Sequence, residues 1–149
     1  MVNMEGEAMI RKVERDDFTD CLRLFRELWP STPINPSDVE RVLERYLEDE
    51  NHEIFCYEEG RIIGLVTVTK RWTFLYGGRV AIIEELIVEE RFRSRGIGQA
   101  LVEFVEQKMK QEGIKGIEVF SDFYRTRAHM FWEKMGYEKL AYQFKKKLI

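Results

Sequence analysis

Leu86-Ile-Val-Glu-Glu-Arg-Phe-Arg-Ser-Arg-Gly-Ile-Gly-Gln-Ala-Leu101 is the stretch on which the reading of this chain turns. An apolar strand ends, a short loop carries Arg91, Arg93 and Arg95, and a helix opens on Gly96-Ile97-Gly98. No Asp, Asn or Thr caps that helix at its glycines, although Ser94 lies just upstream. The first-turn N–H groups of a helix lack intrahelical partners and carry about half a positive charge of macrodipole. Glycines admit close approach, the arginines add charge, and phosphate is the natural guest. A P-loop would need Gly-Lys-Ser/Thr, whereas Gln99 follows Gly98. A dinucleotide fingerprint would need a small residue three after Gly98, where Leu101 stands. On these residues alone, a seat for some other phosphate and a solvated arginine-rich loop both remain open.

The rest of the chain reads outward from that loop. Residues 10–13 form a short strand, and Asp17 with Asp20 opens a helix whose apolar face is Phe18, Leu22, Phe25 and Trp29. Pro30 stops it. After a loop over 31–35, Asn35-Pro36 with Asp38 starts a second helix carrying Val39, Val42, Leu43, Tyr46 and Leu47. Residues 53–57 and 62–69, joined through Gly60, make a hairpin, and Gly77-Gly78 turns into a long strand over 80–88. A helix from Gly96 to about Glu112 follows, closed by Gly113. Then come a strand over 117–120, a helix over 126–135 ended by Gly136, and a terminal strand over 137–147 in which Leu140, Tyr142 and Phe144 share one face. The order is β-α-α-β-β-β-α-β-α-β: an α/β chain of the α+β type, with a mixed, mostly antiparallel sheet flanked by helices.

With 149 residues, 44% of them hydrophobic, the chain is expected to form one domain over 1–149, with an irregular extension over 1–8 and either Met1 or Met9 as the start. A net charge of −3 disfavours nucleic acid as a partner, since phosphate binding needs a basic excess. No apolar run reaches the ~18 residues of a bilayer span, and 1–9 lacks the apolar stretch of a signal peptide. Cys21 and Cys56 both sit in apolar patterns and read as small buried hydrophobes. The expected location is cytoplasmic. His52 and His129 show no chelating spacing, so no metal site is expected. Ser121, Asp122 and His129 have hydrolase-triad residue types but no Gly-x-Ser-x-Gly elbow.

Arg93-x-x-Gly96-x-Gly98, preceded by Glu84-Glu85-Leu-Ile-Val88, resembles the acyl-CoA signature of the GNAT N-acetyltransferase superfamily. Ala128-His-Met-Phe-Trp-Glu-Lys-Met-Gly136-Tyr137 resembles that family's closing helix and strand, and the element order agrees with its fold. The resemblance implies acetyl-CoA as cosubstrate and a primary amine, of a small molecule, as acceptor. It places the pyrophosphate on the loop and helix start: Arg93, Ser94, Arg95, Gly96, Ile97, Gly98 and Gln99. It places the pantetheine arm along the backbone of Leu86, Ile87 and Val88, with an N–H near Ile87 or Val88 holding the thioester oxyanion. Glu84 and Glu85 become the candidate bases. Alternation puts them on opposite faces; Glu84 is favoured, and a bulge would exchange their roles.

The closing helix departs from the family pattern. Four residues after Ala128, where many members carry a proton-donating tyrosine, stands Trp132, whose indole is no general acid near neutral pH. Tyr124 is then the candidate donor, with Tyr137 or water as alternatives. Arg125 stands where the family often has a pantetheine-contacting asparagine, and both Arg125 and Trp132 are expected along the cofactor. The Leu28-Trp29-Pro30 ending resembles that of aminoglycoside 6′-N-acetyltransferases, and Trp72, Phe74 and Tyr76 with the acidic groups would suit a cationic amine. Alternatives are acetylation of a protein N-terminus or lysine, and a CoA-binding regulatory module without turnover. Family members often pair through late strands, which implies a possible homodimer.

Overall fold

The computed structural model describes residues 7–149. These fall into two compact units, one ending at Glu118 and one running Val119–Ile149. The expected extension over 1–8 lies outside the described residues as far as residue 6.

The first unit carries a short edge strand β1 (Met9–Lys12), helices α1 (Phe18–Leu28) and α2 (Pro36–Glu48), and the long meander β2 (His52–Glu59), β3 (Arg61–Thr73) and β4 (Gly78–Val88). Helix α3 (Ile97–Gln111) and strand β5 (Ile117–Val119) follow. The sheet order is β1-β2-β3-β4-β5, with β1 to β4 antiparallel throughout. Local chemistry explains the boundaries. The Asn35 side chain accepts from the Ser37 amide at 2.8 Å, capping α2 with Pro36 at its first position.

The two faces of the sheet bury different helices. Leu65 of β3, Ile54 and Cys56 of β2 and Ile87 of β4 pack with Cys21 and Leu24 of α1 and Leu43 of α2. On the opposite face Phe55 meets Phe104 of α3 edge to face, 5.1 Å between ring centres. Gly64 is needed there: a Cβ on it would come within 3.2 Å of Leu101 and 3.3 Å of Ile97, so its absence lets α3 close on β3. Leu101, Val102 and Val105 of α3 are fully buried. No helix among the described residues is long and apolar enough to cross a membrane.

The second unit holds α4 (Thr126–Lys134), closed by Gly136 in the left-handed region and by the Tyr137 amide donating to the Trp132 carbonyl at 2.9 Å. Residues 137–149 form no strand, against the expectation over 137–147. Their alternation supplies one requirement of a strand; the other is a ladder partner for the backbone, and residues 138–149 enter no ladder. Among the described residues the sheet therefore has five strands instead of six, and the fold class is unchanged.

Candidate active site

The arginine-glycine loop is built to expose backbone donors. Ser94 (φ 65°) and Gly96 (φ 80°) both lie in the left-handed region, and Gly96 precedes α3 without any side-chain cap. Ala100 donates to the Gly96 carbonyl, while the amides of residues 96–99 meet no loop acceptor among the described residues. Four donors at a helix start, with the macrodipole behind them, are what a phosphate group would use.

The three arginines play different parts. Arg93 is a brace: its Nε donates to the Val88 carbonyl at 2.9 Å and its Nη2 lies 3.4 Å from Glu27 of α1. Arg91 turns back to Glu89 at 3.0 Å. Arg95 stacks over Phe92, 5.1 Å from the ring centre, and has no carboxylate partner among the described residues. Of the three, Arg95 is the guanidinium left to meet an anion.

Glu89, buried at the end of β4, anchors this loop. Its carboxylate accepts from Arg23 of α1 at 2.6 Å, from Arg61 of β3 at 2.7 Å and from Arg91 at 3.1 Å, while its amide donates to Ile63. Burial works to raise this carboxyl. The Arg91 hydrogen bond, the Arg61 charge and the Arg23 contacts outweigh that and hold it below the ordinary carboxylate range. Glu27 adds a second tie from α1, its Oε1 accepting from the Glu90 amide at 2.7 Å.

The two glutamates of β4 are separated by a bulge. Thr67 faces Glu85 across the β3–β4 ladder and Val68 faces Ile83, leaving Glu84 without an opposite residue. Glu84 is exposed. Glu85 is partly covered: the Thr67 hydroxyl donates to its carboxylate and also accepts from its backbone amide at 2.9 Å. Burial raises the Glu85 carboxyl above the ordinary range, against the Thr67 hydrogen bond and with help from the Glu84 charge. Tyr46 of α2 packs on the same face, with its phenol raised mainly by burial. Thr67, Tyr46, Glu27 and Glu89 were not singled out as site residues from sequence. The signal was present for Thr67 alone, as Thr67 and Thr69 alternate with valines in an otherwise apolar strand.

Leu86, Ile87 and Val88 continue β4 beyond the bulge, opposite Val66, Leu65 and Gly64. Ile87 is buried in the α1–α2 core. In the second unit, the exposed Tyr124 donates its hydroxyl to Asp122 at 3.3 Å. Arg125 is exposed ahead of α4 and makes no side-chain cap. Trp132 is buried, its ring 5.1 Å from those of both Phe131 and Tyr137. The structure thus brings Arg93 through Gln99 together at the end of β4, with Glu85 further down the same strand, and holds Tyr124, Arg125 and Trp132 in the second unit.

The family model described as Acetyltransferase (GNAT) family matches residues 18–137. D-amino-acid N-acetyltransferase HPA3 of Saccharomyces cerevisiae is 30% identical, over 96% of this chain and 98% of that protein. Aminoalkylphosphonate N-acetyltransferase of Salmonella typhimurium is 24% identical over 68% of this chain; the match spans 66% of that protein, just under two thirds. Among solved structures, glucosamine-6-phosphate N-acetyltransferase from Arabidopsis thaliana superposes with a TM-score of 0.81 at 25% identity, covering 96% of this chain and 99% of that one.

Proposed function

The chain belongs to the acetyltransferase (GNAT) family, and from that premise we propose that it moves the acetyl group of acetyl-CoA to a primary amine of a small molecule. The observation that carries the reading is the run of uncommitted amides over residues 96–99 beside the unpaired Arg95 side chain, a donor set fitted to a pyrophosphate. Acetyl-CoA would supply a thioester carbonyl open to direct attack by the amine. Three similar proteins are named for small amines: a D-amino acid, an aminoalkylphosphonate and glucosamine 6-phosphate. That supports a small acceptor over a protein one.

This chain's own residues then divide the work. The amides of residues 96–99 and the Arg95 guanidinium hold the diphosphate, the Arg93 amide being committed to the Glu90 carbonyl, and the backbone of Leu86, Ile87 and Val88 lies along the acyl arm. Glu85 takes the proton from the acceptor ammonium. A carboxyl raised by burial is a stronger base than an ordinary one once ionised, which favours Glu85 over the solvated Glu84.

Calorimetry with acetyl-CoA on the wild type and on Gly98→Glu tests this directly. The expected result is saturable binding by the wild type and an affinity at least about tenfold weaker in the variant, because a carboxylate now faces the first-turn amides. A wild type that binds no acetyl-CoA at millimolar concentration would overturn the reading. Thiol release with a panel of small amines then identifies the acceptor.

A further inference from the structure

At the bulge on β4 the Glu85 amide donates to the Thr67 hydroxyl of β3. The same oxygen carries one hydrogen, and it is aimed at the Glu85 carboxylate. One buried side chain therefore closes a ring with both the backbone and the carboxylate of a single residue. Thr67 is 1% exposed, so its hydroxyl is held away from bulk water. We propose that Thr67 is the positioning residue of the base, fixing the direction of the Glu85 carboxylate and setting the pH at which it can accept a proton. This rests on the reading of Glu85 as the base.

The surroundings leave few other controls. Glu84 stands beside Glu85 on β4, Tyr46 comes from α2, and β3 offers only the hydroxyls of Thr67 and Thr69. Among the described residues the Thr67 hydroxyl donor is what opposes the effect of burial on Glu85. The Tyr46 phenol, itself pushed up by burial and by the two glutamates, stays neutral over the working range. A donor to the charged form favours that form. Removing the hydroxyl must raise the Glu85 carboxyl further, and a base that ionises later gives an acid limb of kcat displaced to higher pH.

Thr67→Val and Thr67→Ser, with Glu85→Gln as reference, make the test. The side-chain carboxyl carbons of glutamate are labelled with carbon-13 and titrated by NMR; the Glu85 signal is the one lost in Glu85→Gln. The Glu85 midpoint is expected to rise by about one unit in Thr67→Val and to stay within about 0.3 unit of wild type in Thr67→Ser, with the acid limb of kcat moving in parallel. An unmoved midpoint in a folded Thr67→Val overturns the proposal. So does a Thr67→Ser midpoint raised by about one unit, a criterion that also serves if valine does not fold. Wild-type kcat in Glu85→Gln would instead sink the base reading, while the titration still decides whether Thr67 governs the Glu85 carboxyl.

Discussion

Replacing Glu89 by Gln tests whether the carboxylate at the end of β4 organises the loop that follows. Three guanidiniums converge on it, at 2.6 Å from Arg23, 2.7 Å from Arg61 and 3.0 Å from Arg91. Hydrogen bonds to charged groups contribute about 1.5–3 kcal/mol each when desolvated. Arg91 is 73% exposed and Arg61 41%, so screening leaves each of those worth at most about 1 kcal/mol. Arg23 is the most covered of the three at 34%, and it is also fixed by the Ile62 carbonyl at 2.7 Å. Its bond keeps roughly 1.5 kcal/mol. Glutamine retains one acceptor but loses the charge and turns an amide N–H toward an arginine, for a total loss of about 2–3 kcal/mol. In a chain of this size that corresponds to a melting temperature roughly 4–12 °C lower near pH 7.

The pH dependence separates this from a simple packing defect. Glu89 has a depressed carboxyl, so its stabilisation is fully present above the unfolded value near ~4.3 and is lost as pH falls through the folded value. Glutamine does not titrate there. Denaturant melts of wild type and variant should therefore differ by the full amount at neutral pH and converge below about pH 4. A neutral-pH difference under about 0.5 kcal/mol, or a gap that persists undiminished at about pH 3, would refute the reasoning.

Gly96→Ala keeps open space for its methyl but forces alanine to φ 80°, so it should cost about 1–2 kcal/mol in a thermal melt and weaken acetyl-CoA binding measured by calorimetry. Leu101→Ala, truncating a fully buried side chain between α3 and β3, should cost about 2–5 kcal/mol by urea denaturation. Burial, with small contributions from nearby charges, pushes the thiols of Cys21 and Cys56 up to about 12. Native protein at pH 8 should react with a thiol reagent roughly a thousandfold more slowly than free cysteine, and at the ordinary rate in urea.

The features that were legible in the sequence are the ones governed by residues close together in the chain. Asn35-Pro36 caps α2 whatever surrounds it, and Gly96 with Gly98 opens α3 because the need for a left-handed residue and for close approach is local. The roles of the arginines were not legible for the opposite reason. Arg91, Arg93 and Arg95 look alike along the chain, and what distinguishes them is Glu27 on α1, contacting Arg93 from 66 positions away, and the turn of β4 that aims Glu89 at Arg91. Residues 137–147 show the limit of periodicity. Alternation of Leu140, Tyr142 and Phe144 describes a face, while a strand is a relation between two backbones.

The orientation of the glutamates turns on the same distinction, and the bulge answers a packing conflict. In an unbroken strand Ile83, Glu85 and Ile87 would share one face. Yet Ile83 stands opposite Val68, on the side of Phe55 and α3, while Ile87 stands opposite Leu65 in the core beneath α1 and α2. Both isoleucines are buried, so regular pairing would expel one of them or drive the Glu85 carboxylate into the apolar layer under α3 without a partner. The extra residue at Glu84 reverses the alternation between 83 and 85. It keeps both isoleucines inside and turns Glu85 toward the one buried hydroxyl that can satisfy it. Burial of Ile83 and Ile87 on opposite faces therefore dictates which of the two adjacent carboxylates is solvated and which is held, and the candidate base follows from the packing of the sheet.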